Sequence, residues 1–391
     1  MITALVYLLF IGLERLNHIV HIAEDQMILR LLGIARMPVQ STFWRLMNKS
    51  LHKHNERQFQ NVISVLRERV WALSNVKATK YEINTDTTPL IAYGNQDGAK
   101  VGYCPKDWGA KCFKPIISSL SQTGEIIYAQ QRKGDRIGGL EIAKHLKRLF
   151  IKIPADAQRI WRADSEFYCK EAVMICEQQD VNFVISVRKT APIMQFIRDA
   201  NWTKSKLCDG LTEFYYQPIG WARKYRFIVA RYEKKQDEQT ELFEDTKYKY
   251  RAFVTDMEDP MYTIVKEYDG RAGIENLIEE AKNQIGFSKI PGKNFTANSL
   301  FLQIVVLSFN LCRYLQLFGR SENGEYQNEE IKTIRHKTIF ISAKIADHAR
   351  YTEIHFGGEY PLKNWFSELM RRIRKIDLSV LQPVINRVLI V

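Results

Sequence analysis

The chain has 391 residues, of which 46% are hydrophobic and 26% are charged, and this composition excludes an intrinsically disordered protein. Its length exceeds what one hydrophobic core usually supports, so two or three domains are expected. The 57 Lys and Arg residues outnumber the 44 Asp and Glu residues. The resulting net charge of +13 favours an anionic partner, either nucleic acid or an acidic membrane surface.

This charge is concentrated at the two ends of the chain. Residues 1–80 carry 11 basic and 5 acidic side chains, and residues 283–391 carry 15 and 9, so each end has a net charge of +6. Residues 81–282 have a net charge of only +1. The pattern indicates that the two basic flanks bind a polyanion and that the central region has a different function. The alternative is that the charges are distributed by accident.

The six cysteines are scattered and include no Cys-x-x-Cys pair, which is typical of a reduced, cytoplasmic protein. The apolar runs Ile2–Leu13 and Leu300–Leu317 predict buried helices. The first is shorter than the ~20 residues that a membrane span needs, and polar side chains interrupt the second, so we expect no membrane partner. Since Ile2–Leu13 is typical of the middle of a buried helix, we also expect that an upstream segment is missing.

The N-terminal region has helical periodicity. Pro38 is expected to end one helix, and Ser41 or Thr42 to cap the next, which then presents Arg45 and Lys49. A basic helix after a short turn is compatible with a helix-turn-helix that contacts DNA. Most such helix pairs only pack against each other, so ordinary packing is the alternative.

From about residue 81 the pattern alternates and predicts three strands, followed by a helix, a strand, a helix and a strand. This order describes a mixed sheet flanked by helices. A β-rich insertion and a return to helical periodicity follow. The predicted strands are Tyr81–Tyr93, Phe113–Leu120, Glu125–Gln131, Arg159–Ala163 and Val181–Val187, with Thr212–Gln217, Tyr225–Tyr232 and Tyr248–Val254 in the insertion; the predicted helices are Ile142–Phe150, Glu166–Gln179 and Met261–Gln284.

These patterns divide the chain into five predicted regions. The regions are a helical DNA-binding region at 1–78, the first part of the sheet core at 79–187, the β-rich insertion at 188–257, the completion of the core at 258–300, and a helical C-terminal region at 301–391.

Two aspartates occupy strand ends in the predicted sheet. Asp86 lies in the first strand and Asp164 just beyond the fourth. A lone aspartate at a strand exit is more often a turn former or a helix cap, and Asp164 is placed to cap a helix that starts near Glu166. Carboxylates without soft ligands select hard ions such as Mg²⁺ or Mn²⁺. With a helical glutamate, the pair predicts a site for two ions ~4 Å apart that act on a phosphodiester.

The helix after the insertion supplies such a glutamate. At about 100° per residue, Tyr268, Arg271, Glu275 and Lys282 share one narrow stripe. A carboxylate between aromatic and cationic side chains suits a phosphate backbone that must also meet a metal. The alternative is an ordinary Arg271–Glu275 pair on a solvated face. Glu279 lies on the same stripe, so helix geometry alone does not single out Glu275.

These residues resemble the DDE transposases of bacterial insertion sequences, in the group with the signature Tyr-x2-Arg-x3-Glu-x6-Lys. Segments 93–103 and 162–168, after the first aspartate and around the second, agree with that family. The resemblance runs from about residue 25 to the C-terminus and includes segment 343–349 with its flanks. The positions that match the signature without a gap are Tyr268, Arg271, Glu275 and Lys282.

The resemblance implies an α/β fold with an RNase H-like mixed-sheet catalytic core, a β-rich insertion, and flanking N- and C-terminal helical regions. It implies that Asp86, Asp164 and Glu275 are catalytic and bind Mg²⁺ or Mn²⁺, as two ions. The implied partners are double-stranded DNA, as transposon terminal inverted repeats and as target, and a second copy of the chain in a homodimer on DNA. The expected location is the bacterial cytoplasm, at the nucleoid.

The resemblance also implies that Tyr268, Arg271 and Lys282 contact phosphates of the transposon end. The implied activity is metal-dependent hydrolysis that leaves a 3′-OH, followed by attack of that hydroxyl on target DNA. A catalytically inactive remnant that still binds DNA is the main alternative, and a non-specific RNase H-like nuclease is the second. A glycosidase would not explain Arg271, Lys282 or the net charge.

One position departs from the family pattern. Glu166 stands where the family has Gly, and it either faces away from the site or perturbs the metal ions. In the insertion, Trp202 and Trp221 are candidates to wedge an unstacked base, although core packing is the commoner role of tryptophan.

Overall fold

The computed structural model describes residues 1–76, 78–102, 104, 107–234, 247–319, 329–347, 352–357 and 360–377. Parts of the charged stretch 233–241 and of segment 343–349, and all of 378–391, lie outside these residues. The described residues form a mixed α/β fold with a large mixed sheet and twelve α-helices, which confirms the predicted fold class at that level.

The N-terminal region is helical, as its periodicity predicts. Its elements are α1 (Ile2–Phe10), a 3-10 helix (Leu16–Ile22), α2 (Gln26–Leu32), α3 (Gln40–Arg45), a π-helical turn (Leu46–Ser50) and α4 (Lys53–Leu73).

Two predicted boundaries in this region are wrong. The helix expected to end at Pro38 is α2, which already ends at Gly33 because this residue adopts the left-handed conformation, with φ of +64°. Ser41 and Thr42 cap nothing, because both lie inside α3, which begins without a side-chain cap. Residues 33–39 separate α2 from α3, and of the two predicted basic residues only Arg45 lies in α3.

The first part of the core contains strands of two sheets and two helices. Its elements are β1 (Lys80–Thr87), β2 (Leu90–Ile91), β3 (Lys100–Val101), β4 (Lys111–Phe113), β5 (Ile116–Leu120), β6 (Ile126–Gln130), α5 (Gly139–Phe150), β7 (Gln158–Ala163), α6 (Lys170–Gln178) and β8 (Asn182–Val187). Two predicted strands are each divided at a proline, which has no N–H group for a strand ladder. Pro89 separates β1 from β2, and Pro115 separates β4 from β5. Strands β2, β4 and β3 form a small sheet of their own.

The predicted insertion extends the main sheet. It contains α7 (Ala191–Arg198), β9 (Gly210–Tyr216), β10 (Tyr225–Glu233) and β11 (Tyr248–Thr255). Strand β11 pairs antiparallel with β8, β10 with β11, and β9 with β10. The eight strands follow the order β6-β5-β1-β7-β8-β11-β10-β9. Within it, β7 and β8 run parallel to β1, whereas β5 is antiparallel to β1 and β6 to β5.

The C-terminal part differs from its prediction in two respects. Its elements are α8 (Met261–Asp269), α9 (Ala272–Gln284), α10 (Phe295–Gly319), α11 (Ile331–Thr338), β12 (Ala343–Asp347), β13 (Thr352–Phe356) and α12 (Lys363–Ile373). The helix expected to be continuous over 261–284 is broken at Gly270, a weak helix former. The final region is not wholly helical, because β12 and β13 form an antiparallel pair of short alternating strands.

Helix α10 lies in the core between the two ends of the chain. It is the one described helix that is long and apolar enough to cross a membrane, but 78% of its apolar stretch is buried inside the protein, as in a core helix. Ser308 Oγ on α10 donates to the Val6 carbonyl of α1 at 3.2 Å. Arg335 on α11 donates to the carbonyls of Leu9 and Phe10 at 2.9 and 2.7 Å. The N-terminal helix is therefore part of the same core.

Candidate active site

Asp86 and Asp164 lie close together at one edge of the main sheet. Strands β1 and β7 run parallel, and Thr85 pairs with Ala163, so the next residue on each strand reaches the same point. Burial and then the charge of Asp164 raise the pKa of Asp86 to about 6. Burial, together with the charge of Glu166, raises the pKa of Asp164. Two carboxylates in this arrangement favour a cation beside them.

Arg271 supplies a cation at this point. Its Nη1 donates to Asp86 Oδ2 at 3.1 Å, and its Nη2 donates to Glu275 Oε1 one helical turn further on. Burial alone would lower the pKa of Arg271, but Tyr268, Asp86 and Glu275 together raise it. The guanidinium therefore bridges an aspartate and the glutamate that the sequence predicts to share a metal with it.

The three predicted metal ligands do not surround one point in this structure. Among the described residues, no three His, Cys, Asp or Glu side chains are grouped so that they could hold a metal ion. Asp86 and Asp164 lie together, whereas Glu275 is 57% exposed and is connected to Asp86 through Arg271. The structure thus brings two of the three carboxylates together and leaves the third on the far side of a guanidinium.

Tyr268 and Lys282 differ from Glu275 in their surroundings, because Tyr268 is buried and Lys282 is bonded to the turn after β1. Tyr268 belongs to α8 and is 8% exposed, with the guanidinium carbon of Arg271 5.6 Å from its ring centroid. Lys282 lies near the end of α9, where its Nζ donates to Thr88 Oγ1 at 2.5 Å. Gly270 and Arg271 both keep right-handed helical dihedral angles, and Arg271 contacts Tyr268 on one side and Glu275 on the other, so these three residues stay neighbours across the break. Tyr268 supports Arg271 by a cation–π contact in this structure.

Glu166 faces the site. Its Oε1 accepts from Lys114 Nζ at 2.6 Å, and its Oε2 accepts from Thr87 Oγ1 at 2.6 Å. Burial acts to raise the pKa of Glu166, but the bonds from Lys114 and Thr87 outweigh it, so the pKa is lowered. Asp164 is not a helix cap, because α6 begins only at Lys170; Asp164 Oδ1 instead accepts from the Glu166 N–H at 3.0 Å within a turn.

Arg162 positions the strands that carry the aspartates, a role that the sequence analysis did not predict. Its Nε donates to Asn84 Oδ1 at 2.8 Å, and its Nη1 donates to the Glu267 carbonyl at 2.8 Å. Its Nη2 donates to Ser121 Oγ at 2.6 Å and to Glu82. The buried guanidinium therefore connects β7, β1 and α8 just before the chain reaches the site. Its position two residues before Asp164 is the only signal in the sequence.

A cleft of about 500 Å³ opens beside the two aspartates. Two exposed arginines on its rim, Arg136 and Arg188, were also missed in the sequence, because each lies in a loop without a recognisable pattern. Lys114 is a third cation on the lining, so the cleft combines carboxylates with basic side chains. The lining carboxylates are Asp86, Asp135, Asp164 and Glu166.

The remaining predicted residues lie away from the aspartates. Arg45 ends α3 and Lys49 lies in the π-helical turn after it, and both are exposed. In the insertion, Trp221 packs against Tyr168 with their ring centroids 5.2 Å apart, and Trp202 contacts the guanidinium of Arg231 at 4.5 Å. Both tryptophans have packing contacts, which is the commoner of the two roles considered.

Comparison with known sequences identifies the family. The profile of the family described as Transposase DDE domain group 1 matches residues 1–378. The chain belongs to this family. That membership agrees with the resemblance carried by the signature residues and includes the N-terminal helices as well as the sheet. No curated protein matches the sequence.

One solved structure resembles this chain over nearly its whole length. The cryo-EM structure of the piggyBac transposase synaptic complex with hairpin DNA superimposes with a TM-score of 0.46 and 12% sequence identity. The likeness covers 98% of this chain and 74% of that one. At this identity and TM-score it assigns no role to any residue.

Proposed function

We propose that this transposase cuts DNA at transposon ends by metal-dependent hydrolysis and joins the resulting 3′-OH to target DNA. The observation that carries the proposal is the pair Asp86 and Asp164, adjacent at the ends of parallel strands and bonded through Asp86 to Arg271 of the signature. Family membership over residues 1–378 supports the reaction class.

An RNase H-like core is part of this proposal. The five strands β6-β5-β1-β7-β8 alternate in direction on one side of β1 and run parallel to it on the other. Helices α5 and α6 connect the parallel strands, as crossovers between parallel strands require. The order places the first aspartate on the central strand and the second on its neighbour.

The donor set fits Mg²⁺ or Mn²⁺. Oxygen ligands are those that hard divalent ions prefer, and burial, followed by the neighbouring charge of Asp164, raises the pKa of Asp86. Asp86 and Asp164 would hold the ions, with Glu275 as the third ligand. Bound ions would activate the attacking oxygen and stabilise the leaving 3′ oxygen.

The reaction needs no covalent bond to the protein. In the first step, water attacks the phosphorus at the transposon end, and the bond to the 3′ oxygen breaks to leave a 3′-OH and a 5′-phosphate. In the second, that 3′-OH attacks a target phosphodiester, and a target 3′-OH leaves. The number of phosphodiester bonds is unchanged in the second step. Lys114, Arg136 and Arg188 would hold the phosphates in the cleft.

Arg271 must change partners for Glu275 to reach the aspartates. In this structure it occupies the space between Asp86 and Glu275, and its buried Nε has no hydrogen-bond partner among the described residues. A phosphate oxygen of DNA is an anion that can replace the carboxylates and accept from that Nε. DNA binding would thereby release Glu275.

The test is cleavage of a plasmid carrying the DNA that flanks the gene on both sides. Asp86→Asn, Asp164→Asn and Glu275→Gln should each reduce Mg²⁺-dependent cleavage by at least about a hundredfold, since each removes a metal ligand, and should retain DNA binding. Glu279→Gln is the matched control, because Glu279 lies one turn further along α9 and is also exposed.

The outcomes separate the alternatives. Normal cleavage by the Asp86 or Glu275 variant would refute the site. Binding without cleavage by the wild type indicates the inactive remnant, and equal cutting of a plasmid without the flanking DNA indicates the non-specific nuclease.

We also propose that the protein forms a homodimer on DNA, with Arg45 and Lys49 as further DNA contacts. Sedimentation of the complex with the cut ends measures its stoichiometry.

A further inference from the structure

A second groove lies beside the catalytic cleft, between the N-terminal helices and the start of the small sheet. Its volume is about 780 Å³, a size typical of sites for molecules as large as a nucleotide or two. Trp44 of α3 lines one side, and Tyr93 lines the other. The groove contains none of the three predicted metal ligands.

The groove adjoins the cleft. Pro89 lines both cavities, so the two meet at the turn that follows β1. Lys282 lines the groove and fixes this turn, because its Nζ donates to Thr88 Oγ1 at 2.5 Å and to the Pro89 carbonyl at 3.4 Å. A strand that leaves the aspartates over this turn would reach the groove.

The lining combines exposed aromatic rings with cations. Tyr93 is 91% exposed and Trp44 is 37% exposed, although large aromatic side chains are usually buried. Arg15, Lys282 and Lys289 line the same groove, and Glu14 is the one carboxylate on it, bonded to Lys289 at 3.2 Å. Net positive charge with exposed rings is the composition of surfaces that bind a single nucleic-acid strand.

We propose that this groove binds an unpaired DNA strand adjoining the cut site, with its bases stacked on Trp44 and Tyr93 and its phosphates near Arg15, Lys282 and Lys289. The inference rests on the proposed function for the identity of the polymer. It adds a site outside the catalytic residues and brings α3 and the turn after it, with the exposed Arg45 and Lys49, next to the cleft.

The experiment measures stacking directly, without cleavage. The probe is a single-stranded 12-nucleotide DNA with a central 2-aminopurine, whose fluorescence falls when the base stacks on a ring, titrated with the full chain in EDTA. Trp44→Leu and Tyr93→Ser should each remove most of the quenching and weaken binding roughly 5- to 150-fold, the range for loss of one base–aromatic stack. Trp44→Phe should restore most of the quenching.

Matched controls are Trp108→Leu and Tyr215→Ser, two exposed aromatic positions that do not line the groove; both should behave as the wild type. Wild-type quenching and affinity in the Trp44 and Tyr93 variants would overturn the proposal, as would a wild type that binds only the duplex form of the probe. If these results accompany intact Mg²⁺-dependent cleavage of the flanking DNA, the groove proposal alone fails. If the wild type neither binds nor cuts DNA, both proposals fail.

Discussion

Arg271 makes the bonds on which the candidate site depends. As the one signature residue that contacts both Asp86 and Glu275, it holds these carboxylates in the positions that they have in the DNA-free protein. Its charge also acts on Asp164. A divalent ion and this guanidinium therefore compete for the same oxygens.

Arg271→Gln should accordingly bind Mn²⁺ more tightly in the absence of DNA, by about tenfold, the equivalent of one charge-assisted hydrogen bond. The same variant should cleave DNA more slowly, because it lacks the phosphate contact. Electron paramagnetic resonance of free Mn²⁺ measures the affinity. Arg188→Gln, at the rim of the cleft, is the control, and an unchanged or weaker Mn²⁺ affinity in Arg271→Gln would contradict the competition.

At the residue scale, the sequence was sufficient to select Asp86, Asp164 and Glu275 as candidates but not to describe their surroundings. The signature has fixed local gaps, which a sequence displays directly. The partners of Glu166 and Arg162 lie far away in the chain: Lys114 is 52 residues from Glu166, and Glu267 is 105 residues from Arg162. No spacing rule connects such pairs, so only the folded sheet reveals them.

At the scale of elements, the small residue Gly270 decides how closely α8 approaches Arg162 of β7. A β-carbon at Gly270 would lie 2.4 Å from Arg162 Nη1, so only glycine allows the guanidinium to reach the α8 carbonyl. The prediction of one continuous helix over 261–284 was wrong at Gly270, although Tyr268, Arg271 and Glu275 remain in contact across the break. Prolines had the same effect on the strands, where Pro89 and Pro115 each ended a ladder that alternation alone would have continued.

Gly270→Ala should therefore destabilise the protein, by roughly 1–3 kcal/mol, because Arg162 must move from its buried position. Gly273→Ala is the matched control, since nothing lies within 4 Å of a β-carbon there and alanine favours a helix. Urea unfolding measures both. Equal free energies of unfolding for the two variants would show that Arg162 adapts without cost.

At the scale of the whole molecule, the order of strands and helices was predictable, because each strand of the core has its own apolar pattern. What the sequence did not show is that β9, β10 and β11 continue the main sheet, since edge pairing between β11 and β8 involves strands that are separated by more than 60 residues. The sequence also did not show that α1 and α10 share one core, because the pattern of an apolar helix does not specify which element it packs against.

Acid should lower the free energy of unfolding of the whole protein, because the folded chain keeps His145 uncharged. This side chain is buried behind β5, where its Nε2 bonds Ser118 Oγ at 2.8 Å, and burial lowers its pKa to about 3. The unfolded chain binds a proton below its ordinary pKa of about 6.5, whereas the folded chain does not until about 3. The contribution of His145 is thus complete above pH 6.5 and is lost as the pH falls towards 3.

At pH 5 this loss amounts to about 2 kcal/mol relative to pH 7.5. His145→Phe should lose stability at pH 7.5, because Ser118 loses a partner, but should show a correspondingly smaller further loss at pH 5. Urea unfolding at the two pH values measures the difference, with the exposed His21→Phe as control. The same pH dependence in His145→Phe and the wild type would exclude this origin.

Because α1 bonds to residues in the C-terminal half, it can complete its native contacts only late in synthesis. Helix α1 is translated before α10, and Ser308, which bonds Val6, is made 302 residues later. At ~5–20 residues per second, about 15–60 s pass before the two can meet. Throughout that interval α1, with its buried Leu5 and Leu8, has the neighbouring 3-10 helix to pack on but lacks α10, its main packing partner. The nascent chain is therefore most open to aggregation or to capture by a chaperone until α10 has emerged, and any product that stops before Ser308 lacks that partner's bond to Val6.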